Sequence, residues 1–202
     1  MSIKILGGLI RSFSLFVPPE NITRPTAVQL KRRIFDSYQD LSHQVFVDLC
    51  SGSGSIGFEA WSRGAEKVYL IEQNKKVISV LEKNIEKLES MHAQELSVRP
   101  IVRYCDFAEK WVRKNIEKKI LNDNTIIYLD PPYEMLNVYK KVIELLSKHE
   151  FAGELWLEGC RQKGKESQYW CAMLEGVPYR LYEQGSSFII RFMFGQDDSS
   201  KL

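Results

Sequence analysis

The stretch Val47-Asp48-Leu49-Cys50-Ser51-Gly52-Ser53-Gly54-Ser55-Ile56-Gly57 decides how this chain is read. Its first part is an apolar strand holding one carboxylate. Its second part carries Gly52, Gly54 and Gly57 in the order Gly-x-Gly-x-x-Gly, just before a helical pattern begins. Glycine belongs where a backbone turns sharply and lets a ligand approach with no Cβ in the way. Glu72 ends the next apolar run, 20 residues after Gly52, where an acidic side chain can accept hydrogen bonds from ribose hydroxyls. Strand, glycine turn, helix and strand-end carboxylate predict a nucleotide-binding βαβ unit.

A nicotinamide dinucleotide satisfies the same pattern. Asp48, four residues before Gly52, tilts the choice, because a carboxylate at the mouth of the turn repels a pyrophosphate and attracts a cation. S-adenosyl-L-methionine carries a sulfonium and an ammonium group. Asp106, in Tyr104-Cys105-Asp106-Phe107, follows a further strand and suits the adenine amino group at the carboxyl edge of a sheet. It equally suits a helix N-cap, and the two roles are compatible.

Outward from this unit the pattern alternates. Strand candidates at 44–49, 67–72, 98–104, 125–130 and 153–159 are separated by helical patterns at 55–63, 74–89, 107–119 and 135–149, which predicts an α/β fold with a parallel sheet. Gly64 reads as a left-handed C-terminal cap, and Leu81, Ile85 and Leu88 give the next helix an apolar stripe. From Tyr179 two strands about a turn at Gly185-Ser186 read as an antiparallel hairpin closing the sheet. Ahead of the unit, residues 3–7 and 12–17 read as short strands and 26–39 as a helix capped by Thr26. The expected division is residues 1–40 as an N-terminal hairpin and helix, 41–196 as the main domain, and 197–202 as a frayed tail.

Asp130-Pro131-Pro132-Tyr133 follows the apolar Ile126-Ile127-Tyr128-Leu129 and is the most discriminating motif. The prolines fix φ and remove two backbone donors, which leaves carbonyl acceptors at a strand's end. Asp130 and the Pro131 carbonyl suit the two hydrogens of an exocyclic amino group, while Tyr133 stacks on the base that bears it. Such an amine is a poor nucleophile because its lone pair is delocalised. Acceptors on its hydrogens direct that lone pair toward a methyl donor, and the work is positioning and electrostatics. The two motifs together predict methyl transfer to a planar amino group.

The rest of the composition narrows the setting. A chain of 202 residues, 44% hydrophobic, can bury one sizeable core. No run approaches the roughly 20 apolar residues of a membrane helix, and the N-terminal residues lack a secretory pattern, so the expected location is cytoplasmic. Cys50, Cys105, Cys160 and Cys171 are widely spaced, which favours reduced thiols over disulfides or a metal site. Cys50, the isolated His43, His92 and His149, and the four tryptophans read as packing or surface residues.

The net charge of +2 conceals an asymmetry: Lys4, Arg11, Arg24, Lys31, Arg32 and Arg33 face only Glu20 within residues 1–33, so the remainder is acidic. Such a segment either meets phosphates or forms a solvated face.

These motifs resemble, in order along nearly the whole chain, the RsmD-type bacterial 16S rRNA (guanine-N2)-methyltransferases. The matching residues are Lys4-Ile5-Leu6-Gly7-Gly8 with Arg11, Arg24-Pro25-Thr26, Asp48 to Gly57 with Glu59-Ala60, Ser62-Arg63-Gly64-Ala65, Glu72, and Asp130 to Tyr133. The resemblance implies a class I methyltransferase fold, with a Rossmann-like seven-stranded, mostly parallel sheet. It also implies S-adenosyl-L-methionine as cofactor and a guanine N2 in 16S rRNA as target, within a partly assembled small subunit; the expectation of no metal and no membrane partner comes from the cysteine spacing and the hydropathy instead. By position the resemblance gives Asp48, Gly52 and Gly54 to the methionine end of the cofactor, Glu72 to its ribose and Asp106 to its adenine, while Gly57 joins the cofactor site through the glycine motif. Asp130, Pro131, Pro132 and Tyr133 go to the target base. The charge asymmetry, rather than the resemblance, makes Arg11, Arg24, Lys31, Arg32 and Arg33 the candidates for RNA phosphates, with Arg24 alternatively reaching the cofactor carboxylate.

Departures are Ser12, where the family often has glycine, the run Gln29 to Arg33, and residues 90–99, which read as a long loop. The Asp-Pro-Pro-Tyr motif alone also fits adenine-N6 methyltransferases, and a close variant fits glutamine methyltransferases of release factors. A non-catalytic RNA-binding assembly factor and a nicotinamide oxidoreductase are the readings from other classes.

Overall fold

Five of the apolar runs become neighbouring parallel strands in a computed structural model of the chain, which describes residues 2–18, 28–38, 40–132, 134–161 and 166–195. They are β3 (Val45–Leu49), β4 (Lys67–Glu72), β5 (Ile101–Cys105), β6 (Thr125–Leu129) and β7 (Glu154–Cys160). The hairpin β8 (Tyr179–Gln184) and β9 (Ser187–Met193) completes a seven-stranded sheet in the order β5-β4-β3-β6-β7-β9-β8. β9 lies antiparallel to β7. Ahead of the sheet, β1 (Ser2–Lys4) and β2 (Ser14–Phe16) pair as a separate two-stranded sheet.

Alternation of side chains across each strand sends residues to two helical layers. Val47, Leu49, Ile71, Ile127, Leu129 and Leu157 bury one face against α4 (Ala108–Ile116), α5 (Leu136–Lys148) and Trp170 of α6 (Ser167–Met173). Phe46, Val68, Leu70, Ile126 and Trp156 bury the other against α1 (Val28–Asp36), α2 (Ser55–Ser62), α3 (Lys75–Val98) and the β1–β2 hairpin. All four tryptophans are in the core. Trp156 has Phe35, Phe46 and Tyr38 around it, each with its ring centroid 5.6 Å away. Each such pair adds about 0.5–1.5 kcal/mol beyond the area it buries.

One buried carboxylate locks the amino-terminal elements to α2. Glu59, fully buried, accepts from the amides of Leu6 at 2.8 Å and Gly7 at 2.9 Å and from Arg63 Nε at 2.9 Å. It also pairs with Lys31 Nζ at 3.3 Å. Gly8 has φ +75°, and a Cβ there would sit 2.0 Å from the Ser62 carbonyl oxygen, so only glycine lets this loop lie on the helix. Ser12 has φ 70°. In this left-handed backbone serine is strained by about 1 kcal/mol, a strain glycine would not carry.

One expectation about the fold is corrected. Residues 90–99 are not a loop: α3 runs to Val98 through a non-helical His92, and Pro100 stops it by forcing Arg99 to φ −119°, ψ 82°. The apolar stripe fades after Leu88, because the last turns are largely exposed, and that hid the extension. α6 had no sequence signal beyond Trp170. The expected helix at 26–39 appears as Val28–Asp36, while Thr26, residue 39 and the 197–202 tail lie outside the described residues.

Candidate active site

In an open α/β sheet, ligands gather outside the carboxyl ends of the strands where the strand order reverses. Here that point lies between β3 and β6, which pair in parallel from Val45↔Thr125 to Leu49↔Leu129. The glycine turn leaves β3 at this edge, Glu72 ends β4, Asp106 follows β5, and Asp130-Pro131-Pro132 follows β6. The structure thus brings the glycine turn and Asp130-Pro131-Pro132 to the carboxyl ends of two adjacent strands.

Asp48 sits beneath the turn, 2% exposed. Its Oδ2 accepts from the Gly57 amide at 3.0 Å. Burial pushes its carboxyl up to about 7, assisted by Glu72 and Glu158 and opposed by the Gly57 hydrogen bond and Lys31. Glu72 is also buried and accepts one backbone amide on each oxygen, Gly52 at 3.1 Å and Asn74 at 2.8 Å. A carboxylate has about four acceptor positions, so capacity for hydroxyl donors remains. Asp106 is half-buried, and its Oδ1 accepts from the Phe107 amide at 2.8 Å. The helix that follows begins at Ala108 with Phe107 at the cap position, so Asp106 is not its N-cap.

The glycines act differently from the expectation. Gly52 and Gly54 are left-handed, at φ 55° and 81°. A Cβ on Gly54 would meet Leu81 Cδ1 at 2.6 Å, and one on Gly57 would meet Leu70 Cδ2 at 2.3 Å. The space freed by these two glycines is filled by the protein's own core, which draws α2 onto β4 and aims the Gly57 amide at Asp48. Cys50 shares the turn at φ 68°, and burial raises its thiol well above the usual range, as suits a packing residue rather than a nucleophile.

On the β6 side, Asp130 is half-buried and Pro131 buried. The Pro131 carbonyl accepts from Tyr139 Oη at 3.2 Å, and the Pro132 carbonyl accepts from the Met135 amide at 2.7 Å. Both carbonyls keep a second lone pair. Tyr139 Oη also lies 2.9 Å from the Glu158 carbonyl, and Tyr128 Oη donates to the Glu158 carboxylate. Tyr133 lies outside the described residues, as does Arg24.

Of the basic residues, Arg11, Arg32 and Arg33 are exposed, Arg11 in the β1–β2 connection and the other two on α1. Lys31 is a correction. It is 3% exposed, donates to the Ser55 carbonyl at 2.6 Å and faces Glu59. The helical period turns Lys31 inward with Ile34 and Phe35, so its ammonium holds α1 to α2 and is not offered to a phosphate.

Sequence reasoning missed Asn84. It is fully buried on α3, and its Oδ1 accepts from the Phe16 amide at 2.8 Å, while Nδ2 donates to the Phe16 carbonyl at 2.9 Å and the Ser53 carbonyl at 3.0 Å. One amide therefore ties the end of β2 to the glycine turn. An asparagine among the apolar positions of an amphipathic helix was the available signal.

Comparison with known proteins agrees with this geometry. The family model described as "Conserved hypothetical protein 95" matches residues 3–186. The chain belongs to that family. A curated relative, the ribosomal RNA small subunit methyltransferase D of Haemophilus influenzae, is 31% identical over 190 residues, covering 90% of this chain and 93% of that protein. Among solved structures, the Escherichia coli protein yhhF superposes with a TM-score of 0.71 at 20% identity, covering 97% of this chain and all of that one. A human methyltransferase 10 domain containing protein gives a TM-score of 0.64 at 15% identity over 91% and 89% of the two chains. The sheet order and these neighbours make the fold that of a class I methyltransferase. Among the described residues, no helix is long and apolar enough to cross a membrane.

Proposed function

We propose that the protein transfers a methyl group from S-adenosyl-L-methionine to the exocyclic N2 of a guanine in small-subunit rRNA. The observation that carries the reading is the division of the sheet's carboxyl edge at the strand-order reversal. The acidic set Asp48, Glu72 and Asp106 lies on one side, and Asp130-Pro131-Pro132 lies on the other. The names of the curated relatives support small-subunit rRNA as the substrate class.

The cofactor fits the residues present. Buried Asp48 offers negative charge beneath the turn to a cationic methionine end, and Glu72 retains acceptor capacity for ribose hydroxyls. S-adenosyl-L-methionine supplies an electrophilic methyl group. The chain's own work is at the amine. Asp130 and the free lone pair of the Pro131 carbonyl accept its hydrogens, and Tyr133 supplies the ring on which the base stacks. The single Tyr139 hydroxyl proton is shared between the Glu158 carbonyl at 2.9 Å and the Pro131 carbonyl at 3.2 Å. Residues 1–40, with Arg11, Arg32 and Arg33 exposed, form the RNA-facing part, residues 41–196 the catalytic domain, and the work is done in the cytoplasm on a partly assembled small subunit.

Mass mapping of small-subunit rRNA from cells with and without the protein tests this. The expected result is one guanine-containing fragment lighter by a methyl group in the deficient cells and restored by adding back protein and cofactor. Identical maps contradict it.

A further inference from the structure

Two guanidinium groups from distant parts of the chain meet at one residue of the C-terminal hairpin. Arg161 follows the end of β7, and its guanidinium pairs with the Glu183 carboxylate. Arg33 of α1 donates to the Glu183 backbone carbonyl. The backbone at this corner is fixed, since the Arg161 amide donates to the Ser186 carbonyl at 2.9 Å in the β8–β9 turn. The Arg161 and Glu183 side chains are 43% and 40% exposed.

The position of this corner relative to the catalytic loop gives it meaning. β6 and β7 are parallel and pair last at Leu129↔Leu157, so Asp130 lies level with Glu158. β7 continues to Cys160. At about 3.3 Å per residue, Arg161 therefore rises ~10 Å above the level of Asp130, one strand away. It lies just past the end of β7, beside the end of β6 that carries Asp130 and on the side away from the cofactor turn.

We infer that Arg161, together with Arg33, is a phosphate clamp for the RNA backbone flanking the target base, and that Glu183 holds Arg161 in place until phosphate displaces it. The inference rests on the RNA-substrate reading above. An ion pair this exposed contributes little to stability. A guanidinium bonds a phosphate bidentately, and the exchange releases counterions from the nucleic acid. The β8–β9 hairpin thereby gains a role besides closing the sheet.

The sign of one substitution separates this from a merely structural pair. Binding of the full-length protein to immature small-subunit particles is measured across a salt series, alongside calorimetric affinity for S-adenosylhomocysteine and steady-state methyl transfer. Arg161→Ala should weaken RNA binding about 3- to 10-fold, lower the salt slope by about 0.7–0.9 and raise KM for the particle, with cofactor affinity unchanged. Glu183→Gln should do the opposite and tighten RNA binding, because it releases the guanidinium. Arg161→Lys should keep most of the salt slope but lose part of the affinity. Unchanged binding in Arg161→Ala, or weaker binding in Glu183→Gln, overturns the clamp while leaving the substrate reading intact. A wild-type protein that neither binds nor methylates the particle overturns the substrate reading, and the clamp with it.

Discussion

The Gly57 amide donates to Asp48 Oδ2 at 3.0 Å from within the first turn of α2. The bond exists because residue 57 has no side chain to hold the helix away from Leu70. It gives a buried carboxylate one donor without making its ionisation easy, and the carboxyl titrates near 7. A cationic ligand binds the ionised form better.

Affinity for S-adenosyl-L-methionine should therefore rise with pH up to about 7 and level off above it, with a proton released on binding below that point. Calorimetry in two buffers of different ionisation enthalpy reads the proton directly. Asp48→Asn should lower the affinity and flatten the profile. The same carboxyl is raised in the folded state, so the native protein holds a proton that the unfolded chain has lost between pH 4 and 7. Its contribution to stability is full below about 4 and disappears as pH climbs to about 7, and urea titrations of wild type and Asp48→Asn across that range should diverge accordingly.

Lys31 and Arg32 are neighbours in sequence with opposite fates. Arg32→Ala should reduce the salt slope of RNA binding by about 0.7–0.9 with little change in Tm, because it removes an exposed charge. Lys31→Ala should leave the slope unchanged and destabilise the fold, since it strips a partner from buried Glu59 at 3.3 Å. Glu59→Ala should be the most damaging, by about 3–5 kcal/mol, because buried Lys31 then loses its ion-pair partner and Arg63 is left with the more distant Asp36 at 3.5 Å. Equal salt slopes for the Arg32→Ala and wild-type proteins would remove Arg32 from the RNA surface.

Asn84 makes a prediction that a simple packing residue would not. Asn84→Ala leaves the Phe16 amide without its acceptor, at a cost of about 1–3 kcal/mol. It also frees the Ser53 carbonyl in the turn. Cofactor affinity measured on the folded protein should fall, although Asn84 is not expected to touch the cofactor. Hydrogen exchange at Phe16 should accelerate in the variant, and unchanged cofactor affinity would mean the tie serves stability alone.

How much of this was legible in the sequence depends on whether a signal is local. The glycine turn, the strand-end carboxylates and the Gly185-Ser186 hairpin each declare themselves within a few residues, and the structure has them at the expected places. What was hidden is whatever depends on partners far along the chain. Lys31 looked like its exposed neighbours until α1 turned it toward Glu59, 28 residues on. Asn84 meets Phe16 across 68 residues. The extension of α3 past His92 was missed because its last turns bury little, so no hydrophobic period marked them.

Asp130 and Tyr133 have separable roles in the proposed reaction. Asp130→Ala should reduce single-turnover methyl transfer by about 10²–10³ while cofactor still binds, as for other pre-organised polar groups. Tyr133→Ala should also lose activity, and Tyr133→Phe should keep much of it, because stacking needs the ring and not the hydroxyl. Full activity in Asp130→Ala would send the search for the amine's acceptor elsewhere.

The most direct test of the central claim is the chemical identity of the product. Labelled S-adenosyl-L-methionine is incubated with the protein and immature small-subunit particles from cells that lack it, and the rRNA is digested to nucleosides. The account predicts label in N2-methylguanosine and nowhere else, lost with Asp130→Ala. Label in 6-methyladenosine or in protein, or no transfer from a protein that binds the cofactor, would contradict it.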